Sequence, residues 1–390
     1  MISLQDVERL EERLVVGLMT GTSMDGLDVA VCSIRPGDRL TFDLLAFETV
    51  AMPEDLRQAT APDRLADIAA VARINQDLGA YFADALSDVL TPLRCTPHLI
   101  GSHGQTVYHE NGKTTLQLGE PGILAARFGC PVVHDFRMND IAVGGVGAPL
   151  VPYVDQRLLG HLGEALLVIN IGGIANFTAL QGNSEPDSGH PSDAILGMDC
   201  GPGNMLMDGL AKRWSDGELK ADIDGHLAAS GEIDQKLLTA LKAHPYFASS
   251  PPRSTGREQF GDELLDEILV SRPLHEGNGQ TVRNLMVTFA ELTVWGIVDT
   301  YRRFVEPDLP VDRVIVSGGG SRNPVLMAGL EKSFAPAQVQ PSDAVGLPVD
   351  AKEAIAFAIL ASDRIDRRTT NLPSVTGAGR HVLLGKITEC

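Results

Sequence analysis

The stretch VVGLMTGTSMDGLDVAV, from Val15 to Val31, imposes a strand–turn–strand unit on any fold that contains it. Two apolar runs, Leu14 to Met19 and Leu27 to Cys32, have the length and composition of buried strands. Between them Gly21, Thr22, Ser23, Met24, Asp25 and Gly26 make a short polar turn. Glycine lets backbone approach a ligand with no Cβ in the way. The Thr22 and Ser23 hydroxyls and the turn's N–H groups suit an anion nest. Asp25 and Asp28 are poor partners for a bare phosphate but good ones for hydrated Mg²⁺ or a substrate hydroxyl. An ordinary hairpin turn, also rich in Gly, Asp and Ser, has the same composition.

A second unit of this design starts roughly 150 residues later, which fits two domains on related plans. Ala165 to Leu180 has an apolar strand, a polar turn at Gly172 and Gly173, and another apolar stretch. Apolar residues at helical spacing predict helices over 65–90, 122–128, 285–304 and 351–361. Strands are expected at 131–133 and 311–317, and 99–107 reads as a strand end followed by a polar turn, so the chain alternates as an α/β fold does. GGVGAP at 144–149 reads as a linker and a candidate first boundary, and 181–191 as a polar surface loop.

Of the 390 residues 44% are hydrophobic, enough for real cores. The net charge of -19 disfavours nucleic acid and anionic membranes as partners. It also repels ATP, so any phosphate site must be local, built from backbone donors, Mg²⁺ or a few basic side chains. The five cysteines are scattered, with no metal-ligand spacing, and Cys32 and Cys130 read as buried small hydrophobes. The first residues lack a signal peptide's apolar core, and a cytoplasmic protein without a membrane span is expected.

Several nucleotide signatures are missing. Gly112-Lys113-Thr114 ends like a Walker A loop, but Val107 stands where the first glycine belongs, so a surface turn is expected. No Rossmann, protein-kinase or nucleophile-elbow motif is present. Four other segments read as site loops. MDCGPGN places Asp199 at a strand end before a rigid turn, where a base or a helix-capping aspartate is equally at home. SHGQT, residues 102–106, offers donors and acceptors suited to a sugar, although His103 alone also suits a structural role. DFRMND offers Arg137 as a fork for a carboxylate or phosphate, or for a surface ion pair. Ser317 to Asn323 is a strand end with three glycines, room for a flat ring beside the backbone.

Together these motifs closely resemble the anhydro-N-acetylmuramic acid kinases, within the actin, hexokinase and Hsp70 superfamily. The resemblance is carried by GLMTGTSMDGLD, GSHGQT, LQLGEP, DFRMNDIAVGGVGAPLVPYVD, NIGGIAN, MDCGPGN, STGREQF, SGGGSRN and KEAIAFA, spread over nearly the whole chain. It implies a two-lobed actin-like ATPase (ribonuclease H-like) fold with a nucleotide cleft between lobes. The implied lobes are residues 1–140 with 366–390, and residues 141–365.

The resemblance also implies roles. Gly21, Thr22, Ser23, Met24, Asp25, Gly26, Leu27 and Asp28 would bind the ATP phosphates. Asn170, Gly172, Gly173 and Asn176 match the second phosphate loop, and Gly318, Gly319, Gly320 and Asn323 the adenosine loop. Asp199 matches the catalytic aspartate, while Cys200 departs from the threonine associated with its position. His103, Gln105, Arg137, Gly201, Asn204 and Glu353 fall to the sugar. The implied reaction opens the 1,6-anhydro ring with water and phosphorylates O6, using ATP and Mg²⁺. Mg²⁺ would come on the ATP phosphates, with Asp25 or Asp28 as the candidate protein ligand. A homodimer and a role in peptidoglycan recycling follow at family level. A kinase for another sugar and an assembling ATPase share the fold.

Overall fold

The computed structural model describes residues 1–390 apart from 22–25, 61–63, 66, 183–194, 223, 252, 275–278 and 390. The chain forms two units. The first holds Met1–His161 and the segment from Ala351 onward, and the second takes its described residues from Leu162 to Asp350.

The first unit contains β1 (Arg13–Met19), β2 (Gly26–Arg35), β3 (Thr41–Ala51), β4 (Leu99–Ser102), β5 (Gln105–Glu110), β6 (Thr114–Leu118) and β7 (Val132–His134). The second contains β8 (Leu166–Ile171), β9 (Ile174–Leu180), β10 (Leu196–Pro202), β11 (Arg313–Ser317) and β12 (Gln338–Pro341). The chain then returns to the first unit and ends in β13 (Lys386–Thr388).

Both large sheets follow one plan. In the first unit the order is β13-β7-β4-β1-β2-β3, and in the second β10-β9-β8-β11-β12. In each, three strands run as an antiparallel meander, and two later strands join the first of them in parallel. This is the ribonuclease H-like topology, present twice, and it makes the chain a two-lobed actin-like α/β protein. The two glycine-bearing hairpins anticipated from sequence are β1–β2 and β8–β9, the opening elements of the two sheets.

Burial explains the apolar runs. Val16, Leu18, Leu27, Val29 and Val31 share a core with Ile74, Leu78, Phe82 and Leu86 of the helix Ile68–Leu93. On the opposite face, Gly17 and Gly101 are register partners in β1 and β4. A Cβ on either would strike the helix Lys352–Ile365, 1.8 Å from Ala354 O or 2.2 Å from Phe357 O. The central strands are covered on both sides, and so carry no polar alternation. In the second unit the helix Gly279–Phe304 threads the core with Met286, Phe289, Leu292 and Ile297. Cys32 and Cys130 are fully buried, as expected, and Gly112 and Lys113 form the β5–β6 turn rather than a phosphate loop.

The unit boundaries differ from those expected. The 144–149 loop is no linker: buried Asp140 accepts from Gly147 N at 2.9 Å, Asn371 Nδ2 at 3.0 Å and Thr376 Oγ1 at 2.8 Å. Residues 141–161 also stay with the first unit. Arg157 and Tyr153 bond buried Asp363 at 3.2 and 2.7 Å, and Lys352 pairs with Asp155 at 2.7 Å. The same contacts bring in the helix Lys352–Ile365, which the sequence reading assigned to the second lobe. An alanine-rich helix has no partner legible in its own sequence; its partner is the glycine pair of β1 and β4.

Candidate active site

In the second unit, strand register assembles residues far apart in the chain. Ser317 pairs with Asn170, Asn170 with Asn176, and Asn176 with Asp199. Register partners on neighbouring strands share a sheet face. The four side chains therefore make one polar row across β11, β8, β9 and β10.

The turn above this row is held by close backbone packing. Asn204 N donates to Gly172 O at 2.7 Å and Gly203 N to Gly173 O at 2.9 Å. A Cβ on Gly203 would lie 2.2 Å from Gly172 O. Gly318 and Gly320 approach the Ile171 end of β8 just as closely, with Cβ positions 2.6 and 2.3 Å from Ile171 O and Cγ2. Gly172 and Gly319 meet nothing nearer than 3.8 and 3.7 Å. These two glycines border open space where a ligand phosphate or ring can reach the backbone. The three late glycines thus divide, two serving the packing and one the opening.

Asp199 sits where β10 bulges, the register shifting between Asp199 and Gly201. A bulge re-aims the side chain at its own position. Thr255 N donates to Asp199 Oδ2 at 3.0 Å, and Tyr246 Oη to the Asp199 main-chain oxygen at 2.7 Å. Among the described residues nothing donates to Oδ1. Burial pushes the carboxyl up to about 6, with Glu258 adding to the rise and the Thr255 N–H and Arg253 opposing it. A carboxylate titrating near neutrality with one oxygen open is suited to take a proton.

The first unit holds a second cluster. Arg137 Nε and Nη2 lie 3.2 and 2.9 Å from His103 Nε2, and Nη1 donates to Gly147 O at 2.8 Å. Guanidinium has no acceptor, so His103 Nε2 accepts and Nδ1 carries the proton, donating to Gly104 O at 2.7 Å. Burial and the nearby Arg137 charge hold His103 well below the usual histidine range, and it is neutral. Burial lowers Arg137 to about 10, against the favourable charge of Glu353. Burial likewise raises Glu353, which Lys352 and Arg137 oppose. Gln105 Oε1 and Ser102 Oγ are buried without a partner among the described residues. Buried polar atoms left in this way point to a missing ligand or water.

The family described as anhydro-N-acetylmuramic acid kinase matches residues 13–390. The chain is 38% identical to an anhydro-N-acetylmuramic acid kinase of Caldanaerobacter subterraneus subsp. tengcongensis, covering 97% of each protein. It is also 38% identical to one of Salinibacter ruber, covering 100% of this chain and 99% of that one. The chain belongs to the anhydro-N-acetylmuramic acid kinase family. It is an enzyme, a kinase. A solved ROK family glucokinase from Streptomyces griseus, in complex with glucose and AMPPNP, aligns over 89% of this chain and 99% of that one, with 15% identity and a TM-score of 0.39.

Within this family member the expected site residues divide. Thr22, Ser23, Met24 and Asp25 lie outside the described residues. Gly21 O is reached by Gln105 Nε2 at 3.5 Å. Gly26 packs against Val50 O, and the Leu27 side chain is fully buried in the core. Asp28 accepts from Thr49 Oγ1 at 2.6 Å. Asn323 uses both amide ends structurally, capping the helix Pro324–Phe334 through Val325 N and donating to Asp222 O at 3.1 Å. Gly201, at φ +129°, leaves room for the Phe247 ring rather than for a ligand. Asn204 Nδ2 donates to Ile171 O at 3.3 Å. With both ring nitrogens engaged, His103 acts on Arg137. Cys200 is buried beside the helix Gly279–Phe304, where burial raises its thiol, so its departure from threonine stays out of the polar row.

Sequence reasoning assigned no role to Thr255, Tyr246 or Arg253. The only pointer was STGREQF, residues 254–260. It also passed over Asp208, whose carboxyl burial pushes up to about 6 one helical turn beyond Asn204.

The raised Asp199 carboxyl fixes a pH dependence. If Asp199 is the base it must be ionised, and kcat/KM is then expected to rise with pH through about 6. The stability effect runs the opposite way. The folded value lies above 3.8, so the native state binds more protons between the two values, and Asp199 lowers stability as pH rises across that window. Thermal unfolding and pH–rate profiles of the wild type and Asp199→Asn check both; an acid limb retained in the variant assigns it to another group.

Proposed function

We propose that this enzyme adds water across the 1,6-anhydro bridge of 1,6-anhydro-N-acetylmuramic acid and phosphorylates O6 with ATP. The products are N-acetylmuramic acid 6-phosphate and ADP. The Asp199 geometry carries this reading: one carboxylate oxygen is held by Thr255 N–H, the other takes no donor from the described residues, and burial pushes the carboxyl up to about 6. Asp199 takes a proton from water as the water oxygen bonds to C1 and the C1–O6 bond breaks. The released O6 then attacks the γ-phosphorus, and ADP leaves. A kinase that only phosphorylates a free hydroxyl needs no second nucleophile. Most of the remaining catalysis is positioning and charge stabilisation.

The open faces of Gly172 and Gly319 support contacts to ATP, and Asn170 and Asn176 stand in the same polar row as Asp199. Mg²⁺ would arrive on the nucleotide phosphates, with Asp28 the described candidate ligand; when bound, it neutralises phosphate charge. Arg137, oriented by His103 and Gly147 O, has N–H donors left for the lactyl carboxylate of the sugar. Gln105 Oε1 supplies an acceptor for a sugar hydroxyl or amide. We place the enzyme in the cytoplasm as a homodimer serving peptidoglycan recycling. No helix among the described residues is long and apolar enough to cross a membrane.

A coupled ADP-release assay tests the substrate. Turnover is expected with 1,6-anhydro-N-acetylmuramic acid and not with N-acetylmuramic acid or glucose; equal turnover on all three sinks the proposal. Arg137→Ala is expected to raise KM for the sugar about tenfold or more, from loss of a charge-assisted hydrogen bond of about 1.5–3 kcal/mol. KM for ATP should stay put. An unchanged sugar KM removes Arg137 from substrate binding.

A further inference from the structure

We propose that Arg253 and Tyr246 are positioning residues for Asp199, acting through the main chain on one side and the carboxylate on the other. The inference rests on the reading of Asp199 as the base. The bulge between Asp199 and Gly201 interrupts the ladder at the residue whose direction matters most. Tyr246 Oη replaces that restraint by holding the Asp199 carbonyl at 2.7 Å.

Tyr246 is itself held by Arg253. Arg253 Nη1 reaches the carbonyls that close the short helix Pro245–Ala248, at 3.1 Å to Ser249 O and 3.5 Å to Tyr246 O and Phe247 O. Nη2 donates to Thr300 Oγ1 at 2.7 Å, on the helix Gly279–Phe304. The guanidinium carbon lies 4.8 Å from the Tyr246 ring centroid. Nε is buried with no partner among the described residues. The bonds of Arg253 therefore run to the Pro245–Ala248 turn and to the helix Gly279–Phe304, so the guanidinium ties the segment that carries Tyr246 to that helix. Two residues further on, Thr255 N grips Asp199 Oδ2. Thr255 Oγ1 is tied to Gln259 Oε1 at 2.6 Å, which steadies that grip. The main-chain side of Asp199 is thus held by Tyr246, which Arg253 braces, and its carboxylate by Thr255, two residues beyond Arg253.

The groups acting on Asp199 are Arg253 and Thr255 N–H, which favour its ionised form, and Glu258, which opposes it. Tyr246 and the Cys200 thiol adjoin it and are both held un-ionised by burial. Arg253→Lys keeps the charge and loses the fork, so kcat is expected to fall about 10- to 100-fold with the acid limb of kcat/KM unmoved. Arg253→Gln moves that limb upward as well. Tyr246→Phe removes one hydroxyl, lowers kcat similarly, and leaves both KM values within about threefold of wild type.

A residue acting only through Asp199 costs nothing further once that carboxylate is gone, so Tyr246→Phe in the Asp199→Asn background should be silent. Wild-type kcat in Tyr246→Phe, or an equal loss with and without Asp199, overturns the proposal. If Arg253→Lys does not fold, Tyr246→Phe decides alone. The two readings fail separately. Full activity of Asp199→Asn overturns the base, whereas an inactive Asp199→Asn beside a fully active Tyr246→Phe overturns only the positioning.

Discussion

Asp199→Asn is expected to lower kcat by about 10²- to 10⁴-fold, the usual cost of losing a general base. The substitution is nearly isosteric. The side-chain oxygen can still accept from Thr255 N, and Tyr246 still has the main-chain carbonyl, so the local frame survives. Because burial makes the carboxylate costly, the variant should unfold at the same temperature as wild type or higher above pH 6. More stable and far less active is the pattern of a group kept for chemistry at the expense of folding. Calorimetric titration with ATP should give wild-type affinity, while single-turnover phosphorylation nearly disappears. A variant that phosphorylates the anhydro sugar at more than a tenth of the wild-type rate would remove Asp199 from the base role.

The second large effect is on stability. Gly17→Ala is expected to destabilise the protein by about 3 kcal/mol or more, the upper end for overpacking a close contact. Its Cβ would stand 1.8 Å from Ala354 O, and backbone atoms cannot swing aside as side chains can. Gly101→Ala should behave alike, since Phe357 O lies 2.2 Å from its Cβ position. Gly37→Ala, with Arg39 O at 3.4 Å, is the control and should cost far less. Circular dichroism during heating reads all three. Wild-type melting of Gly17→Ala would mean that the helix Lys352–Ile365 does not lie on β1 as described.

Much of this architecture was legible in local sequence. The hairpins β1–β2 and β8–β9 announce themselves because buried strands are uninterrupted apolar runs and their turns carry glycine. What stayed hidden is whatever depends on register. Ser317, Asn170, Asn176 and Asp199 form one row only after three strand pairings are known. The grip on Asp199 was illegible for another reason: Thr255 contributes a backbone N–H, which nearly every residue type possesses. Glycine content misled in one place. The run at 318–320 suggested space for a flat ring, yet two of its members are consumed by contact with β8. Motif matching likewise could not tell that Asn323 is a helix cap or that Leu27 is core.

The glycine pair of β1 and β4 sets an order of events during synthesis. The first unit begins at the N-terminus, but the helix that fills its groove emerges only after Asp350. The second unit takes its strands and core from Leu162–Asn183 and Ala194–Asp350, all made before that helix. Until residues 352–365 are made, the glycine face of β1 and β4 lacks the helix that covers it. The half of the protein made first is therefore the half completed last.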